Sequence, residues 1–203
     1  MSSFDLEAVA DHVVAWFGTP EGGGSFEARG RGYTLPHAFF RYQRASSSLI
    51  VSVGHSEFVV PGSQQAYQNG NSMRHEFIVH YQDSVSNEAA AVHILELLSS
   101  YSRITGQYLG LGSVLPLGTD HFLLVDRHPQ FILLMEPLLD DANVYGSLQG
   151  QMHTPDATVQ FLWAVPIYAS EREYISTSGD EAFINRFLER RTDMSDWTRA
   201  PVA

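Results

Sequence analysis

Cysteine and lysine are both absent from this 203-residue chain. Without cysteine there can be no disulfide, thiol nucleophile, iron–sulfur cluster or thiolate-bound structural zinc. Without lysine, the phosphate-loop lysine, the Schiff-base lysine of pyridoxal enzymes and the kinase-type lysine are all excluded. All twelve basic residues are therefore arginine. Positive charge is scarce against 23 acidic residues, and the formal net charge of −11 opposes a phosphate backbone. Arg186, Arg190 and Arg191 form the densest basic group, and they fall at the end of a predicted helix, where they complement its dipole. No apolar run approaches the roughly 18 residues a membrane helix needs, and the start Met1-Ser-Ser-Phe-Asp-Leu-Glu7 is unlike a signal peptide. These features predict a cytoplasmic protein that binds neither nucleic acid nor membrane. Hydrophobic residues make up 44% of the chain, enough for one core without a metal or disulfide staple, so a single domain over residues 1–203 is expected.

Leu6, Val9, Val13 and Phe17 recur at helical spacing, with Ser3 placed to cap the start and Gly18 and Pro20 to end it. Gly18 to Gly32 is rich in glycine and charge and reads as a flexible connector. His37–Gln43 and Ser48–Val53 read as a hairpin, Glu57–Val60 as further sheet, and 62–72 as a loop. Met73–Gln82 alternates Phe77, Val79 and Tyr81 with Glu76, Ile78 and His80, predicting a strand with one apolar and one mixed face. A long helix follows Ser86 from Asn87 to about Ile104, with Val92, Leu95, Leu98, Tyr101 and Ile104 as its stripe and Gly106 as its stop. Short strands are expected near Ser113–Leu117, His121–Val125 and Phe131–Met135, then a polar loop from Asp140 to Asp156. Val159–Val165 reads as a buried strand that ends at Pro166, followed by a helix capped by Ser170 and Glu173. A last helix, Asp180–Arg191, carries Phe183, Ile184, Phe187 and Leu188 inward, with Ser178 and Glu181 at capping-box spacing. This order lacks regular strand–helix alternation and predicts an α+β fold, a mixed, largely antiparallel sheet packed by helices.

The chemistry is sparse. His75 and His80 stand at an odd offset on one strand, so they face opposite ways and cannot share a metal. Asp120-His121 and Asp126-Arg127-His128 fall at predicted turns. There is no Gly-x-Ser-x-Gly, and Gly110-Leu-Gly-Ser113 leads into a strand instead of the helix a phosphate site needs. Asp140-Asp141 and Glu171/Glu173 are paired acids without two contrasting environments around one cleft. No catalytic residue, metal ligand or cofactor is therefore assigned. Trp163 belongs to the core, whereas Tyr168 and Tyr145 are candidate interface anchors.

From Met73 to Arg199 the chain resembles the suppressor of fused family. The matching pieces are Glu76-Phe-Ile-Val79, the long helix ending near Tyr101, Gly110-Leu-Gly with Val114-Leu-Pro-Leu117, Phe131-Ile-Leu-Leu-Met-Glu-Pro137, Val165-Pro-Ile-Tyr-Ala-Ser-Glu-Arg-Glu173 and Asp196-Trp-Thr-Arg199. The resemblance implies a non-enzymatic protein-binding domain. Its short bacterial members are thought to be immunity proteins that neutralise toxins, so it implies sequestration of a protein partner such as a basic toxin. On this reading an exposed sheet edge accepts an extended segment while acidic side chains select a basic partner. The acidic corner of Tyr168, Glu171 and Glu173 is the candidate partner-binding surface. Two other readings stay open: a metal-dependent or hydrolytic enzyme using scattered His and Asp residues, and a small-ligand-sensing scaffold.

Overall fold

A computed structural model describes residues 5–59, 72–117, 128–137, 151–154 and 157–203. Its strands are β1 (Gly22–Gly30), β2 (Tyr33–Gln43), β3 (Ser47–Val53), β4 (Ser72–Gln82), β5 (Val114–Pro116), β6 (Phe131–Met135), β7 (Gln151–His153) and β8 (Ala157–Ile167). They form one sheet in the order β1-β2-β3-β4-β8-β6-β5, with β7 also on β8. Among the described residues β4 and β8 alone pair in parallel; every other pairing is antiparallel. The helices among the described residues are α1 (Leu6–Phe17), α2 (Val85–Thr105), α3 (Ala169–Ser178) and α4 (Asp180–Glu189). The fold is α+β, as the element order predicts.

Both faces of the sheet are covered. Phe77, Val79 and Tyr81 of β4 pack with Leu162 and Ala164 of β8 beneath Ile94, Leu95 and Leu98 of α2. The alternate residues, Ile78, Val159, Phe161, Trp163, Val165 and Ile167, meet Val9, Val13 and Trp16 of α1 and Phe183 and Phe187 of α4. The mixed face expected for β4 is thus a second core, and the whole of β8 is buried. A strand buried on both sides must be apolar at successive positions, which is why Val159–Val165 is a nearly continuous apolar run. Each such side chain stabilises the fold by roughly 1.5–3 kcal/mol relative to exposure.

Several boundaries differ from those the sequence predicts, each for a local reason. The glycine-rich stretch is not a connector: Gly22–Gly30 is edge strand β1, with Phe26 and Ala28 buried at alternate positions. At Gly24 the Phe39 ring lies 2.9 Å from where a Cβ would stand, so a larger residue there would have to displace that ring. Residues 55–57 turn as a 3-10 helix instead of extending the sheet. Within the expected polar loop, Gln151–His153 pairs with β8. Strand β8 continues through Pro166 because its pairing with β4 ends at Trp163, so among the described residues Pro166 has a paired strand on one flank alone, the edge condition that tolerates proline.

The helix caps differ too. Asp5 caps α1 through its bond from the Ala8 amide (3.1 Å), and Ser3, the expected cap, lies outside the described residues. Ser84, not Ser86, caps α2 by accepting from the Asn87 amide (3.1 Å), so the helix starts two residues early. Gly106 does end it, in the left-handed conformation at φ 73°. Gly179 separates α3 from α4, and Ser178 is the last residue of α3 instead of a cap. Ile104 and Leu188, placed inward by periodicity, are exposed. The segments 62–71, His121–Val125, Asp120, Asp126, Asp140-Asp141 and Tyr145 lie outside the described residues.

Candidate functional site

The corner after β8 is built around an acid that the sequence places on the candidate binding surface. Glu171 is fully buried and accepts four hydrogen bonds. Arg199 donates Nη1 to Oε1 (2.6 Å) and Nη2 to Oε2 (3.0 Å); the amides of Val202 (2.9 Å, Oε1) and Tyr168 (2.9 Å, Oε2) supply the others. Glu171 therefore performs the capping task expected of Glu173, closing onto Tyr168 instead of Ser170. Tyr168 is buried, its hydroxyl donates to the Trp197 carbonyl (2.8 Å), and the Arg199 guanidinium lies over its ring and that of Phe187. Of the three candidate partner-binding residues, Glu173 alone is exposed. The structure does not bring Tyr168 or Glu171 to the surface; they tie the C-terminal segment to the α3 start. Trp163 is in the core as expected.

His75 and His80 face opposite sides of β4, in agreement with their offset. His75 packs by Phe77 and Tyr108, while His80 bonds the Ser47 hydroxyl through Nε2 (2.8 Å) and lies by Trp163. No carboxylate bonds the other ring nitrogen of His80 among the described residues, so Ser47 and His80 lack the orienting acid of a hydrolytic triad. Also among the described residues, no group of three His, Asp or Glu side chains converges as a metal site would require.

Periodicity does not reveal a buried polar cluster at the ends of β2, β3 and β4. His37, His55 and His75 are buried there, with Arg103 of α2 donating toward His37 Nε2 (3.2 Å) and to the Ser99 carbonyl. Burial holds His37 down to about 4 and His75 to about 3; the adjacent Arg103 charge adds to the fall for His37. His55 is lowered well below its ordinary range, by burial first and then by the Arg103 charge. All three are neutral near pH 7. Beside them Glu76 accepts from the amides of Gly54 (2.9 Å) and Ser56 (3.0 Å) and from the hydroxyls of Ser56 (2.6 Å) and Ser52 (2.5 Å). Burial raises its pKa against those four bonds. Oε1 accepts three of these bonds and Oε2 one, so the buried carboxyl organises the turn that follows β3. The sequence signal for this cluster is Gly54-His-Ser56 following the hydrophobic strand β3: polar residues that must be satisfied at its end.

The comparisons agree with this architecture. Residues 37–200 match the family model described as suppressor of fused protein (SUFU), so the chain belongs to the suppressor of fused family. No curated protein matches. Among solved structures, a SUFU homologue from Neisseria gonorrhoeae FA 1090 aligns over 98% of this chain and 96% of its own, at 20% identity and TM-score 0.69. A chain of the Sufu–Fu complex aligns over 100% and 93%, at 16% identity and TM-score 0.60. Drosophila Suppressor of Fused aligns over 97% of this chain and 51% of its own, at 17% identity and TM-score 0.61.

Proposed function

We propose that this chain is a non-enzymatic protein-binding domain that sequesters a protein partner. The observation that carries the reading is its membership of the suppressor of fused family across residues 37–200, a family with a solved Sufu–Fu complex. The net charge of −11 favours a basic partner by steering and complementarity. In its specific form the proposal is that of an immunity-type protein whose partner is a basic toxin. One domain over 1–203, acting in the cytoplasm, is part of this proposal. Exposed Glu173 is retained as a partner-facing residue, whereas Tyr168 and Glu171 act by holding the corner beneath it.

Affinity capture from the native host, followed by reconstitution from the two purified components, tests the reading. A stoichiometric complex that weakens with salt supports it, and growth rescue on co-expression with a toxic partner supports the immunity form. A purified candidate that fails to associate at any salt concentration argues against it.

A further inference from the structure

Strand β1 is an edge of the sheet, and its backbone parity is set by two independent contacts. The Arg29 amide points away from β2 to the Ser100 hydroxyl of α2 (2.8 Å), and Glu27 lies opposite Pro36, which has no amide to exchange. Ser25, Glu27 and Arg29 therefore direct their backbone groups outward. Among the described residues, the outward amides of Ser25 and Glu27 have no hydrogen-bond partner. Across the cleft from Glu27 and Arg29, His93, Glu96, Leu97 and Ser100 stand at positions i, i+3, i+4 and i+7 of α2, one helical stripe. Edge and stripe enclose a cleft of about 320 Å³, lined by these four residues with Glu27 and Arg29.

We propose that this β1–α2 groove binds an extended segment of the partner protein as an added strand, with a basic side chain set between Glu27 and Glu96 and an apolar one against Leu97. The inference rests on the protein-binding reading and names the surface that would serve it. Main-chain bonds to Ser25 and Glu27 would supply pairing, and alternation along an extended segment sends successive side chains to the two sides. The Ser100–Arg29 bond closes the groove at one end and so limits how far a segment can run. A second copy of this chain is the poorer occupant: Ser100 of α2 already bonds the edge at Arg29, so two β1 strands could not pair along their full length. Opposing β1 strands centred on Glu27 would also set two carboxylates against each other.

The test uses the full chain labelled with nitrogen-15 and a capped nonapeptide alternating Lys and Val, with a Glu/Val peptide as control. The expected result is shift perturbation and slowed exchange at the Ser25 and Glu27 amides with the Lys peptide. Affinity should fall at least about tenfold for the Glu/Val peptide and for Glu27→Arg. Ser25→Pro removes an outward donor without a β2 bond and should weaken binding while leaving circular dichroism unchanged. Unperturbed Ser25 and Glu27 amides at millimolar Lys peptide, or equal binding of both peptides, would overturn the proposal. A reconstituted partner bound equally by wild type and Ser25→Pro would overturn the groove and leave the protein-binding reading standing; a chain that engages no partner at all removes that reading separately.

Discussion

Arg199 and Glu171, 28 residues apart, form a two-pronged ion pair sealed from solvent, with N–O distances of 2.6 and 3.0 Å. It joins the C-terminal segment to the first turn of α3. Because Glu171 also receives the Tyr168 and Val202 amides, the pair is the centre of a network and not an isolated bridge. Removing one partner leaves the other charged and buried. Arg199→Met is expected to cost about 3–5 kcal/mol in urea unfolding, and Glu171→Leu combined with Arg199→Met should cost less than the sum of the single changes. Additive losses would show that the two side chains act independently.

The buried histidines predict acid lability. Their folded pKa values lie below the unfolded value of 6.5, so the unfolded chain binds more protons as pH falls. Their contribution is complete above pH 6.5 and is lost progressively toward pH 4 for His37 and pH 3 for His75. Glu76, raised by burial, acts with the opposite sign: its contribution is present below the unfolded carboxylate value and is lost as pH rises through the higher folded one. Thermal unfolding followed from pH 7.5 to 4.5 should show a falling midpoint, and His75→Phe should flatten the profile. A profile insensitive to that substitution would remove His75 from the account.

Two glycines with positive φ should respond differently to alanine. Gly54 has φ 128°, and a Cβ there would stand 2.6 Å from His37 Nδ1; Gly18 has φ 87° with open space around it. Both substitutions carry backbone strain of order 1–3 kcal/mol, but Gly54→Ala adds the collision. Chemical denaturation should therefore rank Gly54→Ala as the more damaging. Equal losses would mean that the His37 ring moves aside freely.

The start of α2 offers a smaller test. Ser84→Ala removes the bond to the Asn87 amide and should cost about 1 kcal/mol. Ser86→Ala, inside the first turn, should be close to neutral. Reversal of that order would restore the start suggested by the sequence.

The strands and helices that bury one regular stripe were legible in the residues alone. Val9/Val13, Phe77/Val79/Tyr81 and Phe183/Phe187 reach their cores because a period of two or 3.6 maps directly onto one face. The apolar run of β8 also signalled a buried strand. The glycines of β1 hid its identity, since Gly24 serves the Phe39 ring on a neighbouring strand and shows no preference of its own. The candidate site was hardest to read. Ser170/Glu173 and Tyr168/Glu171 share the same three-residue spacing, and only Arg199, brought in from the chain end, decides that Glu171 turns inward while Glu173 stays in water.

Composition and local periodicity thus settle which chemistries this chain lacks, its α+β class and most of its core, because these depend on residue type and on neighbours a few positions away. Which strand lies at the edge, which acid is buried and which histidines are held neutral depend on partners tens of residues distant. Those choices arise only when the sheet order places β1 beside α2 and the C-terminus against α3, where burial makes an unpaired polar group too costly to leave unanswered.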